Sequence, residues 1–147
     1  VLILDEQKRT HPIDDLTEVC SVDELRDLQA AVREIYVDPA VSDYIVRLVA
    51  STRTHPDVYL GASPRGSIAL YRASQALAGL LGRDYVIPDD IKVLAEPALA
   101  HRVIIKTSSS IHDVSSAHVV RELVGSTPIE AARQAGGPRE VSPSHAG

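Results

Sequence analysis

The chain has 147 residues and a single cysteine, Cys20, so it has the length of one domain and no intrachain disulfide can form. Hydrophobic residues make up 44% of it, enough for a core, but with no Phe or Trp that core must come from Leu, Ile, Val, Ala and five Tyr. A net charge of -5 argues against a nucleic-acid footprint, and no apolar run approaches the roughly 20 residues a membrane helix needs.

Residues 1–10 begin with the apolar run Val1-Leu2-Ile3-Leu4 and become charged at Asp5, Glu6, Lys8 and Arg9. An opening of this kind, in a chain without Met, reads as the middle of an element in a longer protein; no signal peptide is visible. His11-Pro12 begins a linker. Residues 13–20 are expected to form an irregular connection that packs Leu16 and Val19. Ser21-Val22-Asp23-Glu24 is a capping box, with Ser21 as N-cap and Glu24 reaching back. Leu25, Leu28, Val32 and Ile35 then lie on one stripe, which predicts a first helix to about Tyr36 or Val37. Asp38-Pro39 starts a second helix, with Asp38 as cap and Pro39 at the first position. Its stripe is Val41, Ile45, Leu48 and Val49, joined by Tyr44, and its expected end is near Arg53. Thr54 to Leu60 reads as a loop. In it His55 is either a turn residue or a residue close to a ligand.

The stretch Leu60-Gly61-Ala62-Ser63-Pro64-Arg65-Gly66-Ser67 organises the rest. Gly61 allows a backbone angle other residues avoid. Ser63 is a good N-cap, and Pro64 at the first helical position loses no bond. Arg65 then places a cation in a first turn that already carries partial positive charge, which suits a phosphate and otherwise reads as a solvated side chain. The third helix is predicted from Pro64 to about Leu81. Its expected inward face is Ile68, Tyr71, Leu77 and Leu81, and Gly82 is its expected C-terminal cap. A side chain at Gly66, one place past the arginine, could obstruct a ligand. Residues 83–86 form a link in which Tyr85 and Val86 plug the end of a bundle. A fourth helix starts at Pro88, with Ile91, Val93 and Leu94 inward. Pro97 is expected to break it and to start a final helix holding Leu99, Val103 and Ile104. His101 on that helix has no partner at ligand spacing and reads as a packing or interface residue, so no metal site is expected. Residues 107–116 read as a serine-rich linker. Ser116 caps a short amphipathic turn with Val119, Val120, Leu123 and Val124, closed by Gly125. Thr127-Pro128-Ile129-Glu130 repeats the capping-box pattern, and from Gly136 on the composition predicts disorder. No solenoid-length repeat is present.

Four blocks occur in order: Gly61-Ala62-Ser63-Pro64-Arg65, Gly82-Arg83-Asp84-Tyr85-Val86, Pro88-Asp89-Asp90 and Leu99-Ala100-His101-Arg102. With His11-Pro12 and His55-Pro56-Asp57-Val58 upstream, they make Ser21 to Lys106 resemble the C-terminal lid subdomain of the MoxR family of AAA+ ATPases. The family usually has a hydroxyl residue where Ile87 precedes Pro88, so a capping bond worth roughly 1 kcal/mol is expected to be lost there. The resemblance implies an all-α fold, a helical bundle of four main helices with a partly disordered C-terminal tail. It divides the chain into the end of a nucleotide-binding subdomain and linker (1–20), the lid (21–106), and a linker, short helix and tail (107–147).

The resemblance also implies a site. Arg65 takes the place of the sensor 2 arginine, a catalytic contact to the ATP phosphates in the full-length ring, and Arg65, Ser63, Gly61 and Gly66 form the expected nucleotide-binding stretch. The implied cofactor is ATP as Mg-ATP in the full-length protein, none of it bound tightly by this piece alone. The implied partners are the chain's own nucleotide-binding subdomain, a homo-oligomeric ring, expected to be a hexamer, and a protein with a von Willebrand A domain. The implied work is cytoplasmic, chaperone-like maturation of partner complexes, with neither nucleic acid nor membrane insertion. No Gly-x-x-x-x-Gly-Lys-Ser/Thr occurs in the chain, so this piece of an ATP hydrolase is expected to be inactive by itself. The alternative is a free-standing helical interaction module without nucleotide. A nucleic-acid-binding helix pair is a distant third, opposed by the acidic balance.

Overall fold

Prolines and short polar side chains set where the helices begin. The computed structural model describes residues 16–129, so the expectations for residues 1–15, for Glu130 and for the tail from Gly136 lie outside the described residues. The elements in order are α1 (Val22–Glu34), α2 (Pro39–Ser51), β1 (Val58–Leu60), α3 (Pro64–Leu80) and α4 (Pro88–Leu99). A 3-10 turn (Ala100–Arg102), β2 (Ile104–Ile105), α5 (Thr107–Ser110) and α6 (Ser116–Ser126) follow. The described chain is thus mostly helical, with one two-stranded sheet.

Two compact units divide between Val32 and Arg33. The first contains most of α1. Its capping box is formed as expected: the Ser21 N–H donates to Glu24 Oε2 at 2.7 Å and the Glu24 N–H to Ser21 Oγ at 3.2 Å. The backbone bond from Ser21 holds the Glu24 carboxyl below its ordinary range. The expected packing is not formed. Leu16 is 75% exposed, Val19 is fully exposed, and α1 buries no residue. Local capping, not burial, defines where this helix starts.

The second unit holds the core. In α2, Asp38 accepts the Ala40 N–H at 2.8 Å behind Pro39, and Val41, Tyr44, Ile45, Leu48 and Val49 are buried as the spacing predicts. The buried face of α3 differs from the expected one. It is Gly66, Leu70, Ser74, Gln75 and Ala78, while Ile68 and Leu81 are exposed. Small side chains bring α3 close to its neighbours, so close approach outweighed apolarity in choosing the face. The two buried polar groups are satisfied. Ser74 Oγ donates to Tyr71 O at 2.8 Å, and Gln75 Nε2 donates to Ile35 O at 2.7 Å and Arg33 O at 3.2 Å, the carbonyls closing α1.

Gly82 ends α3 as expected, with φ at +72°. The Arg83 N–H reaches back to Ala78 O at 2.9 Å and the Gly82 N–H to Gly79 O at 3.0 Å, the two bonds of a Schellman cap. Arg83 then turns onto α4 and donates to both carboxylate oxygens of Asp90, at 2.9 and 2.7 Å. Ile87 makes no side-chain capping bond, as expected; the same carboxylate accepts the Ile87 N–H at 2.9 Å, which is the other half of a capping box. Burial alone would raise the Asp90 carboxyl, but the bonds from Arg83 and Ile87 outweigh it and hold the group below its ordinary range. Val86 is buried in the link, whereas Tyr85 is half exposed; Tyr36 fixes the segment, its N–H donating to Asp84 O and its carbonyl accepting from Val86, both at 2.9 Å.

Pro97 does not break α4. It lies in the last turns, where its missing N–H removes one bond and the Ala100 N–H still reaches Glu96 O. Ile91, Ala95 and Leu99 form the buried stripe, and Val93 is 68% exposed instead of inward. No final helix follows. Beyond the 3-10 turn, β-branched residues extend the chain, and β2 pairs antiparallel with β1, Val58 opposite Ile105 and Leu60 opposite Ile104. The expected loop Thr54 to Leu60 therefore ends in a strand. α6 is an 11-residue helix capped by Ser115, one place before the expected Ser116, and its Val119, Val120 and Leu123 complete the core. No helix of the described residues is long and apolar enough to cross a membrane.

Candidate functional site

The turn between β1 and α3 is built on the end of α2. The buried stripe of α2 continues to Thr52, which is 1% exposed, and its hydroxyl donates to Val49 O at 2.7 Å. That oxygen accepts the N–H of the fully buried Ala62 at 2.9 Å. From the other side, Arg53 Nε donates to Ala62 O at 3.0 Å. The two peptide groups that flank the Ala62 Cα are thus each held, one by Thr52 and the other by Arg53, the two residues that follow α2.

Gly61 makes this approach possible. A Cβ there would lie 2.7 Å from both Arg53 Cα and Arg53 N, closer than real side chains come. Among the described glycines only Gly82 has a positive φ, so the expected special backbone angle at Gly61 is replaced by a need for space. Gly66 also answers to packing. A Cβ there would meet Leu99 Cδ2 at 3.1 Å and Ala62 Cβ at 3.4 Å, so the space beside it belongs to α4.

Ser63 is the N-cap residue of α3, with Pro64 behind it, but its hydroxyl makes no capping bond. The Gly66 N–H instead donates to Ser63 O at 2.8 Å, closing the turn through the backbone. The exposed Ser63 hydroxyl is left open at the helix mouth. Arg65 follows, exposed, and has no hydrogen-bond or ion-pair partner among the described residues. Arg102 passes the same turn, its Cδ 3.8 Å from where a Gly66 Cβ would be and its Nε donating to Ala98 O at 3.0 Å. Among the described residues no carboxylate pairs with Arg53, Arg65 or Arg102. In an acidic chain, three arginines around one helix start make a local excess of positive charge, and the helix N-terminus adds to it. The arrangement suits an anion with several oxygens, because a guanidinium donates in a planar fork.

Arg65, Ser63, Gly61 and Gly66 therefore lie on one turn, though only Arg65 and Ser63 present free polar groups. Thr52, Arg53 and Arg102 are not among the residues that sequence reasoning selects. Thr52 carried a signal, since a hydroxyl continuing an apolar stripe needs a partner. His55 belongs elsewhere. Its side chain is 6% exposed, with Nδ1 accepting the Asp57 N–H at 3.2 Å and Nε2 3.7 Å from Glu122 Oε2 on α6. Asp57 in turn accepts from Ser109 Oγ at 2.6 Å. His101 is exposed, and no group of three or more metal-ligating side chains occurs among the described residues.

A family model described as the AAA lid domain matches residues 50–123. The uncharacterized protein YeaC of Bacillus subtilis is 41% identical over 133 residues, covering 90% of this chain and 42% of that protein. Chaperone MoxR1 of Mycobacterium tuberculosis is 31% identical over 116 residues, covering 73% of this chain and 31% of that one. The MoxR protein of Methylorubrum extorquens is 31% identical over 135 residues, covering 79% and 38%. The chain thus spans at most about two fifths of these relatives' lengths. The crystal structure of a candidate ATPase from Cytophaga hutchinsonii superposes with a TM-score of 0.80 at 22% identity, over 88% of this chain and 42% of that one, a likeness of fold.

Proposed function

The chain belongs to the AAA lid domain family, on the MoxR side of the AAA+ ATPases, and from that membership we propose that it works as the lid of a nucleotide-driven ring. In this reading Arg65 is the sensor 2 arginine. It contacts the phosphates of Mg-ATP held by the nucleotide-binding subdomain, with the Ser63 hydroxyl and the first-turn N–H groups beside it. Gly61 and Gly66 shape the turn that carries it. The chain by itself is not catalytic.

The observation that carries the reading is the exposed guanidinium of Arg65, free of any partner among the described residues, at the mouth of α3. An arginine paired inward could not leave its carboxylate to meet a phosphate; this one has nothing to leave. Charge on the terminal phosphate must be neutralised while water attacks, and a cation on a moving lid supplies that only on closure. Lid movement then couples nucleotide state to the rest of the machine. The wider reading is a cytoplasmic hexamer that matures partner complexes in a chaperone-like way, beside a protein with a von Willebrand A domain. The names of two relatives, one called a chaperone, support its direction.

The test is Arg65→Ala in the full-length protein. ATP turnover is expected to fall about 10-fold or more, with the denaturation midpoint unchanged. Wild-type turnover in that variant would remove Arg65 from the mechanism.

A further inference from the structure

We propose that Thr52 and Arg53 are positioning residues for Arg65, acting as a two-point clamp on the backbone either side of the Ala62 Cα. The inference rests on the reading of Arg65 as a phosphate contact.

The geometry is specific. The Ala62 N–H is donated to Thr52 Oγ1 at 2.9 Å and the Ala62 carbonyl accepts from Arg53 Nε at 3.0 Å. Both residues stand at the end of α2, whose other buried residues are locked in the core. Ala62 is only three residues from Arg65, and the Gly66 N–H closes the intervening turn on Ser63 O. With the peptide groups on both sides of the Ala62 Cα held, neither can rotate without breaking a hydrogen bond. Rotation there would swing the first turn of α3 and carry the Arg65 side chain with it. The absence of a Cβ at Gly61 lets the turn lie directly on the Arg53 backbone, which leaves no slack between the two segments. On the far side the buried Gly66 is backed by Leu99. The mouth of α3 is thereby referenced to α2 and α4 together.

An exposed arginine with no partner of its own has many rotamers, and each degree of backbone freedom beneath it adds more. Transition-state stabilisation needs the donor within a few tenths of an ångström of the developing charge. A rigid base narrows the search of a free side chain, and the clamp supplies that base. Thr52 and Arg53 need not touch the nucleotide to do so.

The experiment uses the full-length ATPase and steady-state ATP hydrolysis, with thermal denaturation followed in parallel. Thr52→Val keeps the shape and removes the acceptor. Its kcat is expected to fall about fivefold or more with KM for ATP within about twofold of wild type, measured well below its melting temperature. Thr52→Ser restores the hydroxyl and is expected to restore kcat. The double variant Thr52→Val/Arg65→Ala is expected to be no slower than Arg65→Ala alone, because the clamp acts through the arginine. If Thr52→Val does not fold, Arg53→Lys at an exposed position takes its place, since it keeps the charge and loses the Nε donor. Wild-type kcat in the folded clamp variant, beside a slow Arg65→Ala, would overturn the clamp alone, as would fully multiplicative losses in the double variant. Wild-type turnover in Arg65→Ala would instead overturn the reading of Arg65, and the clamp with it.

Discussion

Replacing Gly61 by alanine adds one methyl group where the structure has no room for it. The new Cβ would lie 2.7 Å from Arg53 Cα and N and 2.8 Å from Arg53 Cγ. Ordinary carbon contacts are about 3.5–4.0 Å, so the two segments must separate by about 1 Å. Two of the three clashing atoms are backbone and cannot turn aside. Separation of that size breaks the bond from the buried Ala62 N–H to Thr52 Oγ1 and the bond from Arg53 Nε to Ala62 O. An unpaired buried N–H costs about 1–3 kcal/mol, and overpacking by a methyl group costs about 1–3 kcal/mol on its own. The two overlap, because separation relieves the clash at the expense of the bonds, so a net loss of about 3 kcal/mol is expected. With a urea m-value of about 1.5 kcal/mol/M, the unfolding midpoint falls by about 2 M. Urea titration of the 147-residue chain by circular dichroism measures it. Gly125→Ala is the control: nothing lies within 4 Å of its Cβ, and in helix α6 it is expected to stabilise by about 0.5–1 kcal/mol. A loss below about 0.5 kcal/mol in Gly61→Ala would mean that Gly61 and the Arg53 backbone are not in close contact at this turn.

Asp90→Asn is expected to lower stability by about 2 kcal/mol at neutral pH, the range for bonds to a charged group. The sign of its pH dependence follows from the lowered carboxyl. Stabilisation by Asp90 is complete above its unfolded value of about 3.9 and is lost as pH falls through the lower folded value, so the wild-type advantage over the variant should shrink only under strongly acid conditions. Urea midpoints across pH 2–7 check this, and an advantage that grows on acidification would contradict it. Gln75→Leu removes both donors from the carbonyls of Arg33 and Ile35. Tryptic cleavage after Arg33 is expected to speed up roughly 5- to 30-fold, the factor for 1–2 kcal/mol of local opening, and an unchanged cutting rate would remove Gln75 from the anchoring of the Arg33–Ile35 backbone.

Much of this architecture is legible in the chain. Caps and prolines announce themselves locally, which is why Ser21, Asp38, Pro64, Gly82 and Pro88 mark true boundaries. The core face of α2 is equally plain, because its buried positions are all large and apolar. α3 is different. Its tight face is written in Gly66, Ser74, Gln75 and Ala78, residues that an apolar count passes over, and Ile68 drew attention to the wrong side. The two strands are too short to show a period of two. Pro97 misled because its penalty depends on position in the helix, which spacing alone does not give. At the site, Arg65 stands out as a cation in an unusual place. Its supports do not, because the contacts of Thr52 and Arg53 with Ala62 span nine or ten residues and exist only after folding.

The Arg83–Asp90 pair has a consequence for solution conditions. Its carboxylate is 5% exposed and its guanidinium 21%, and at 2.7 Å the charges leave no room for mobile ions between them. Dissolved salt acts over a Debye length of about 8 Å at 0.15 M, and it weakens exposed charges far more than sheltered ones. Raising ionic strength therefore dims the field of the open arginines around the mouth of α3 while leaving the brace between the end of α3 and the start of α4 nearly untouched. Salt becomes a dial for anion attraction that does not loosen the scaffold presenting it.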